Sequence, residues 1–242
     1  MKRFIISLLS SLVVTLSVFG QEFNKTINKD SLLQVILKDL AEPKKSELLK
    51  LYNEGNEQSK EFLLFMFSMP RSSKKELISN IDSNFEKISS LKTSYLKLLP
   101  KDYIVSIEFN PADKIASTKE SIDLKIEHTN NKQSDLKQEW NLEYNSEKLT
   151  QMIKPLGWTN ETLTIIKTLL ADAKCVSIEN GNITTIGFAR SGMGKYFFKL
   201  FDKDLTIEQI KEYNDGCMYI FYKKNIVLEY GGGAVGSQCF PD

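Results

Sequence analysis

The sequence predicts an α+β protein, a helical N-terminal unit packed on an antiparallel β-sheet that runs as a meander with inserted helices. Three observations carry this. Between residues 30 and 99 apolar side chains recur at spacings of three and four, whereas from Tyr103 onward they alternate, with Pro100 at the change of period. After Ala173, short runs rich in aromatic and β-branched residues follow one another, joined by turns containing Gly and Asn.

In chain order, Met1-Lys2-Arg3 is a basic start, Phe4 to Phe19 is an apolar core, and Val18 and Gly20 place small residues before a cleavage after Gly20. Residues 1–20 thus read as a cleaved signal peptide, and the mature chain as periplasmic or secreted. The apolar core is short for a membrane span, no later run reaches the ~20 apolar residues a bilayer needs, and no Cys follows to carry a lipid. Loss of Lys2 and Arg3, with no acid, moves the formal charge from +1 to −1. A near-neutral chain has no electrostatic footprint for nucleic acid.

Residues 21–99 form the expected helical unit. Leu32, Leu33, Val35, Ile36, Leu37 and Leu40 suit a helix capped by Asp30 or Ser31, and Pro43 opens a second that Gly55 closes. Glu57 to Met69, with Phe62-Leu63-Leu64-Phe65-Met66-Phe67, is apolar all round and predicts a helix buried on most sides. Ser72 or Ser73 then caps the longest helix, whose apolar stripe from Leu77 to Leu98 extends about 40 Å. Lys74, Lys75, Lys87 and Lys92 mark its solvated side.

Residues 100–242 form an antiparallel α+β unit, either a separate domain or one domain with the helices before it. Tyr103 to Phe109, Ile122 to Ile126 and Trp140 to Tyr144 alternate as strands. Ser146 or Asn145 caps a helix stopped at Pro155, and Thr159 or Asn160 opens another that delivers the chain to the meander. There Asn180-Gly181-Asn182 joins two strands as a hairpin, and Tyr196 to Phe201 reads as a central strand covered on both sides. Asp204 caps a short helix, and Lys224-Asn225 joins the last two strands, which lie in one sheet with the earlier ones or in a second sheet.

A plain two-residue turn at Lys224-Asn225 places Ile220 opposite Glu229 and Phe221 opposite Leu228. On that register Glu229 is a lone carboxylate among Met218, Ile220, Tyr222 and Val227. A buried carboxylate of that kind serves as a general acid or base; on a wet face it is simply the polar member. Gly231-Gly232-Gly233 either turns the chain or lets a ligand approach the backbone.

Export permits a disulfide among Cys175, Cys217 and Cys239. Cys217–Cys239 is the first expectation, because the glycines after Tyr230 can fold the tail back beside its own hairpin; Cys175–Cys239 is the alternative. The spacing shows no paired Cys or His motif, so neither a metal nor a cofactor is expected.

His128, the sole histidine, ends a strand beside Thr129-Asn130-Asn131, a hairpin setting. Arg190-Ser191-Gly192-Met193-Gly194-Lys195 has the composition of a phosphate loop, but Lys195 enters a strand where that motif requires a helix. What is left is a hairpin loop with two cations, Arg190 and Lys195, as a candidate anion site. With no nucleophile motif, the expected function is a non-catalytic binding module for a protein or surface ligand. The alternative is a carboxylate-dependent hydrolase using Glu229.

Overall fold

Ser73 begins the element on which the second half of the molecule is built. Its hydroxyl accepts from the Glu76 amide while the Glu76 carboxylate accepts from the Ser73 amide, a reciprocal capping box. The helix runs Lys74–Leu98 and buries Leu77, Ile81, Ile88, Leu91 and Tyr95 completely. Each such side chain contributes about 1.5 to 3 kcal/mol relative to exposure. The structure, a computed structural model, describes residues 23–113, 115, 119–129, 135–231, 236 and 238–241. The expected leader, residues 1–20, and Gly232 and Gly233 lie outside the described residues.

The described residues up to Phe65, with those inside 112–118, make one compact unit; Met66–Pro111 and the residues from Lys119 onward make the other. In the first, helices α1 (Lys29–Lys38) and α2 (Lys44–Glu54) bury Leu33, Ile36, Leu37, Leu48 and Tyr52. Asn28, not Asp30 or Ser31, caps α1 through its side chain. Lys29 ties α1 to the start of α3 (Glu57–Ser68) by ion pairs to Glu57 and Glu61 at 2.8 and 2.6 Å. The expectation that α3 is buried on most sides fails. Only Leu63 and Leu64 are buried, while Phe62, Phe65, Met66 and Phe67 are half-buried.

The second unit holds α4 (Lys74–Leu98) and a single eight-stranded antiparallel sheet. Its strands are β1 (Tyr103–Asn110), β2 (Ser121–His128), β3 (Asp135–Glu143), β4 (Ser177–Glu179), β5 (Thr184–Ser191), β6 (Gly194–Leu200), β7 (Tyr219–Lys223) and β8 (Ile226–Gly231). They lie in the order β3-β2-β1-β4-β5-β6-β8-β7. All strands therefore join one sheet, and the hairpin around Gly181 seats β4 between β1 and β5. Asn180 fastens this seat, accepting from the Val105 amide at 2.6 Å and donating to the Tyr103 carbonyl at 2.8 Å.

One face of the sheet is the core. Val105, Ile107, Leu124, Ile178, Ile186, Tyr196, Phe198 and Leu228 point into it; α4 packs over β5 and β6 and against α6 (Asn160–Asp172), and α5 (Glu147–Ile153) lies on β3. Tyr95 donates to the Val105 carbonyl at 2.9 Å, and Trp158 to the Leu98 carbonyl at 2.7 Å, so both large polar aromatics bury with a partner. Within α4 the buried Asn80 donates to the carbonyl of Ala173, beyond the end of α6, and accepts from Asn84, where α4 kinks.

Two strand predictions are corrected. Trp140, expected to alternate with Leu142, is 62% exposed while Leu142 is buried. A bulge between Ile122 and Leu124, with Asn141 at φ 55°, breaks the alternation there. At the last hairpin Lys223 pairs Ile226 but Phe221 pairs Val227, so Tyr222 is an extra residue and the register slips by one. Ile220 lies opposite Leu228, and Tyr219, not Ile220, opposite Glu229.

Cys217 and Cys239 form the expected disulfide, and the Phe240 amide bonds the Cys217 carbonyl at 2.9 Å. Phe240 thereby reaches Tyr196 and Tyr230, both at 5.9 Å between ring centroids. Cys175 is a buried free thiol.

Candidate functional site: the second face of the sheet

The register decides which side chains oppose the core. On β6, Tyr196, Phe198 and Leu200 enter the core, so Lys195, Phe197 and Lys199 take the second face. The ladder extends that face to Ser106 and Glu108 of β1, Asp123 and Lys125 of β2, Ser177 and Glu179 of β4, Thr185 and Gly187 of β5, and Glu229 of β8. β6 is interior to the sheet as expected, but the expectation that it is covered on both sides holds for its core face only: Lys195, Phe197 and Lys199 are half-buried.

Glu108 and Asp123 stand directly opposite each other on β1 and β2, and Arg190 and Lys195 do so on β5 and β6. Like charges in such positions repel. Because β4 begins only at Ser177, the cations cross to the anions. Arg190 meets Glu108 at 2.7 Å, Asp123 at 3.8 Å and Asn110 at 3.0 Å, and Lys195 bonds the other oxygen of Glu108. Burial holds the Lys195 ammonium below the usual lysine range, against the pull of Glu108.

Glu229 lies opposite Phe197 and meets Lys199 at 3.0 Å. Its face mates are Val227, Tyr219 and Phe221, not Met218, Ile220 and Tyr222. Burial first, then the charge of Glu229, raises the Tyr219 phenol above its ordinary value. Beyond Glu229 the face becomes apolar: Val227 is fully buried with Phe201 and Leu205, packed by Ile210 and Tyr213 from α7 (Ile207–Glu212) and the segment after it. Thr206, not Asp204, caps α7.

Between these two ends lies a hollow of about 340 Å³. Its floor and walls come from Ser106, Glu108, Ser177 and Glu179 on one side, Thr185 in the middle, and Lys195, Phe197, Lys199 and Glu229 on the other. Lys125 reaches Glu179 at 3.7 Å across β1. Gly187 keeps the floor low, since a Cβ there would stand 2.0 Å from Ser177 Oγ and 3.1 Å from Lys195 Cδ.

The loop between Arg190 and Lys195 is pinned by the segment ahead of α4: Ser191 donates to the Ser72 carbonyl and the Gly192 amide to that of Pro70. Arg190 and Lys195 do come together, but on Glu108. His128 ends β2 with its ring edge-on to Tyr103 at 4.7 Å. Burial pushes the Cys175 thiol up to about 12, so it is no nucleophile at neutral pH. Among the described residues no group of three or more His, Cys, Asp or Glu could hold a metal.

The chain matches no family model, no curated protein and no solved structure.

Sequence reasoning missed Glu108, Lys199 and Phe197. For Lys199 and Phe197 a signal was present: Lys195, Phe197 and Lys199 alternate with Tyr196, Phe198 and Leu200, a half-polar strand. Glu108 had none, because its partners lie 82 and 87 residues away.

Proposed function

We propose that this protein is an exported, non-catalytic binding module that holds a protein or surface ligand on the second face of its sheet, at the hollow around Phe197. The observation that carries the reading is the pairing of charge around an aromatic floor: Lys195 on Glu108 and Lys199 on Glu229, with Phe197 between the two lysines. Side chains set on paired strands are preorganised, and a polar hollow with a half-buried ring is a binding surface that needs no reorganisation. Export agrees with the disulfide and with the absence of a helix long and apolar enough to cross a membrane among the described residues.

The same geometry speaks against proton transfer as the main task. Both carboxylates are engaged as ion-pair partners, Glu108 with Lys195 and Glu229 with Lys199. The test is a thermal-shift screen of the full chain against glycans, peptides and small metabolites, run beside chromogenic esters, glycosides and peptides. The module predicts a ligand that raises Tm and no turnover; enzyme-like rates contradict it.

A second reading, a carboxylate-dependent hydrolase using Glu229, is favoured by one observation: Glu229 and Glu108 line the same hollow. Hydrolysis that is lost in Glu229→Gln supports it, and hydrolysis unchanged in that variant removes it.

A further inference from the structure

We infer that the hollow takes a neutral, hydroxyl-rich ligand, a short run of sugar units; this rests on the binding reading above. The first argument is charge balance. Lys125, Arg190, Lys195 and Lys199 meet Glu108, Asp123, Glu179 and Glu229, every one of them within 4 Å of an opposite charge. A charged ligand has to displace a resident partner and leave a half-buried charge behind, which costs more than the new contact returns.

The second argument is hydrogen-bonding capacity. An ammonium has three donors and a carboxylate about four acceptor positions; Glu108 already meets both Arg190 and Lys195, whereas Lys199 and Glu229 meet each other through one contact at 3.0 Å. Ser106, Ser177 and Thr185 add hydroxyls that donate and accept. A sugar hydroxyl also does both, so it can bridge a lysine and a glutamate without breaking their pair.

The third argument is Phe197. Its ring lines one side of the hollow with the Lys195 ammonium over it at 5.4 Å, and the ring surface that the ammonium leaves uncovered is of the kind that the C–H face of a pyranose matches. A peptide would more readily add as a strand, which needs a free sheet edge. The hollow sits over β1, β4, β5, β6 and β8, all interior to the strand order. Its volume stands at the small end of ligand sites, enough for one or two rings at a time.

The experiment is a titration of the ¹⁵N-labelled full chain, disulfide intact, followed by amide shifts. The probes are maltohexaose, cellohexaose and chitohexaose, a heparin-derived hexasaccharide, spermine, and an uncharged Gly-Ser peptide. A neutral saccharide is expected to shift the amides of Thr185, Phe197 and Glu229 saturably, with affinity about tenfold weaker in Phe197→Ala and several-fold weaker in Thr185→Ala. Should either variant fail to fold, the other carries the test. Preferential binding of heparin, spermine or the peptide at these amides overturns the neutral-sugar inference and leaves the binding module standing. If none of the probes shifts these amides saturably, the neutral-sugar inference is overturned, and the thermal-shift and turnover screen decides the binding module separately.

Discussion

Phe197 on β6 and Glu229 on β8 are direct partners across the ladder, so the aromatic ring and the carboxylate share the second face of the sheet. With Lys199 at 3.0 Å from Glu229 and Lys195 on Glu108, that pairing makes a strand of the meander into one wall of a polar hollow.

Glu108 carries two cations, Arg190 and Lys195. Glu108→Gln is expected to lower stability by about 2 to 3 kcal/mol, and Glu108→Gln with Lys195→Met to recover part of that, because the second change removes the unpaired ammonium. Urea unfolding of the four members of the cycle measures it.

Lys195 adds a pH signature. Its folded-state value lies below the ordinary 10.5 because of burial, so the cost of keeping it charged is present below that lowered value and is relieved as pH rises through it toward 10.5. The stability of the wild type relative to Lys195→Met is expected to increase over that window. Urea melts in steps up to pH 10.5 check the sign, and a difference that falls with pH contradicts the assignment.

Gly187→Ala places a methyl 2.0 Å from Ser177 Oγ. The expected cost is about 1 to 3 kcal/mol, the range for overpacking, and adding Ser177→Ala is expected to return part of it. Equal stability of the single and double variants would mean that the two residues do not oppose each other.

The disulfide joins residues 22 apart and seats Phe240 on Tyr196 and Tyr230. Closing a loop of that length is worth about 3 kcal/mol in the unfolded-chain entropy model. Cys217→Ser with Cys239→Ser is therefore expected to lose about that much in urea unfolding. Phe240→Ala in the oxidised protein is expected to lose less, about 1 to 2 kcal/mol, because the ring is only half-buried against the aromatic cluster.

The helices and the α+β class were legible because caps and periodicities are local: Ser73, Ser146 and Thr159, each one of two neighbouring candidates in the sequence, cap their helices, although Asn28 and Thr206 displaced the expected caps of α1 and α7. The hairpin at Asn180-Gly181-Asn182 was legible for the same reason. The register of the last hairpin was not. The extra Tyr222 beside Lys224, which takes φ 49°, shifts the pairing by one, and with period-two side chains one residue exchanges the faces. Glu229 was named in advance, yet with the wrong neighbours. Glu108 could not be named, since its role exists only once β4 lies between β1 and β5.

In the binding module proposed above, ligand contact centres on Phe197. The direct measurement is the affinity, by calorimetry, of the neutral saccharide that binds the wild type, repeated on Phe197→Ala and on Ile207→Ala, a change at a 69% exposed residue of α7 outside the hollow lining. Binding is expected to be about tenfold weaker for Phe197→Ala and unchanged for Ile207→Ala; wild-type affinity in a folded Phe197→Ala contradicts a contact centred on this ring.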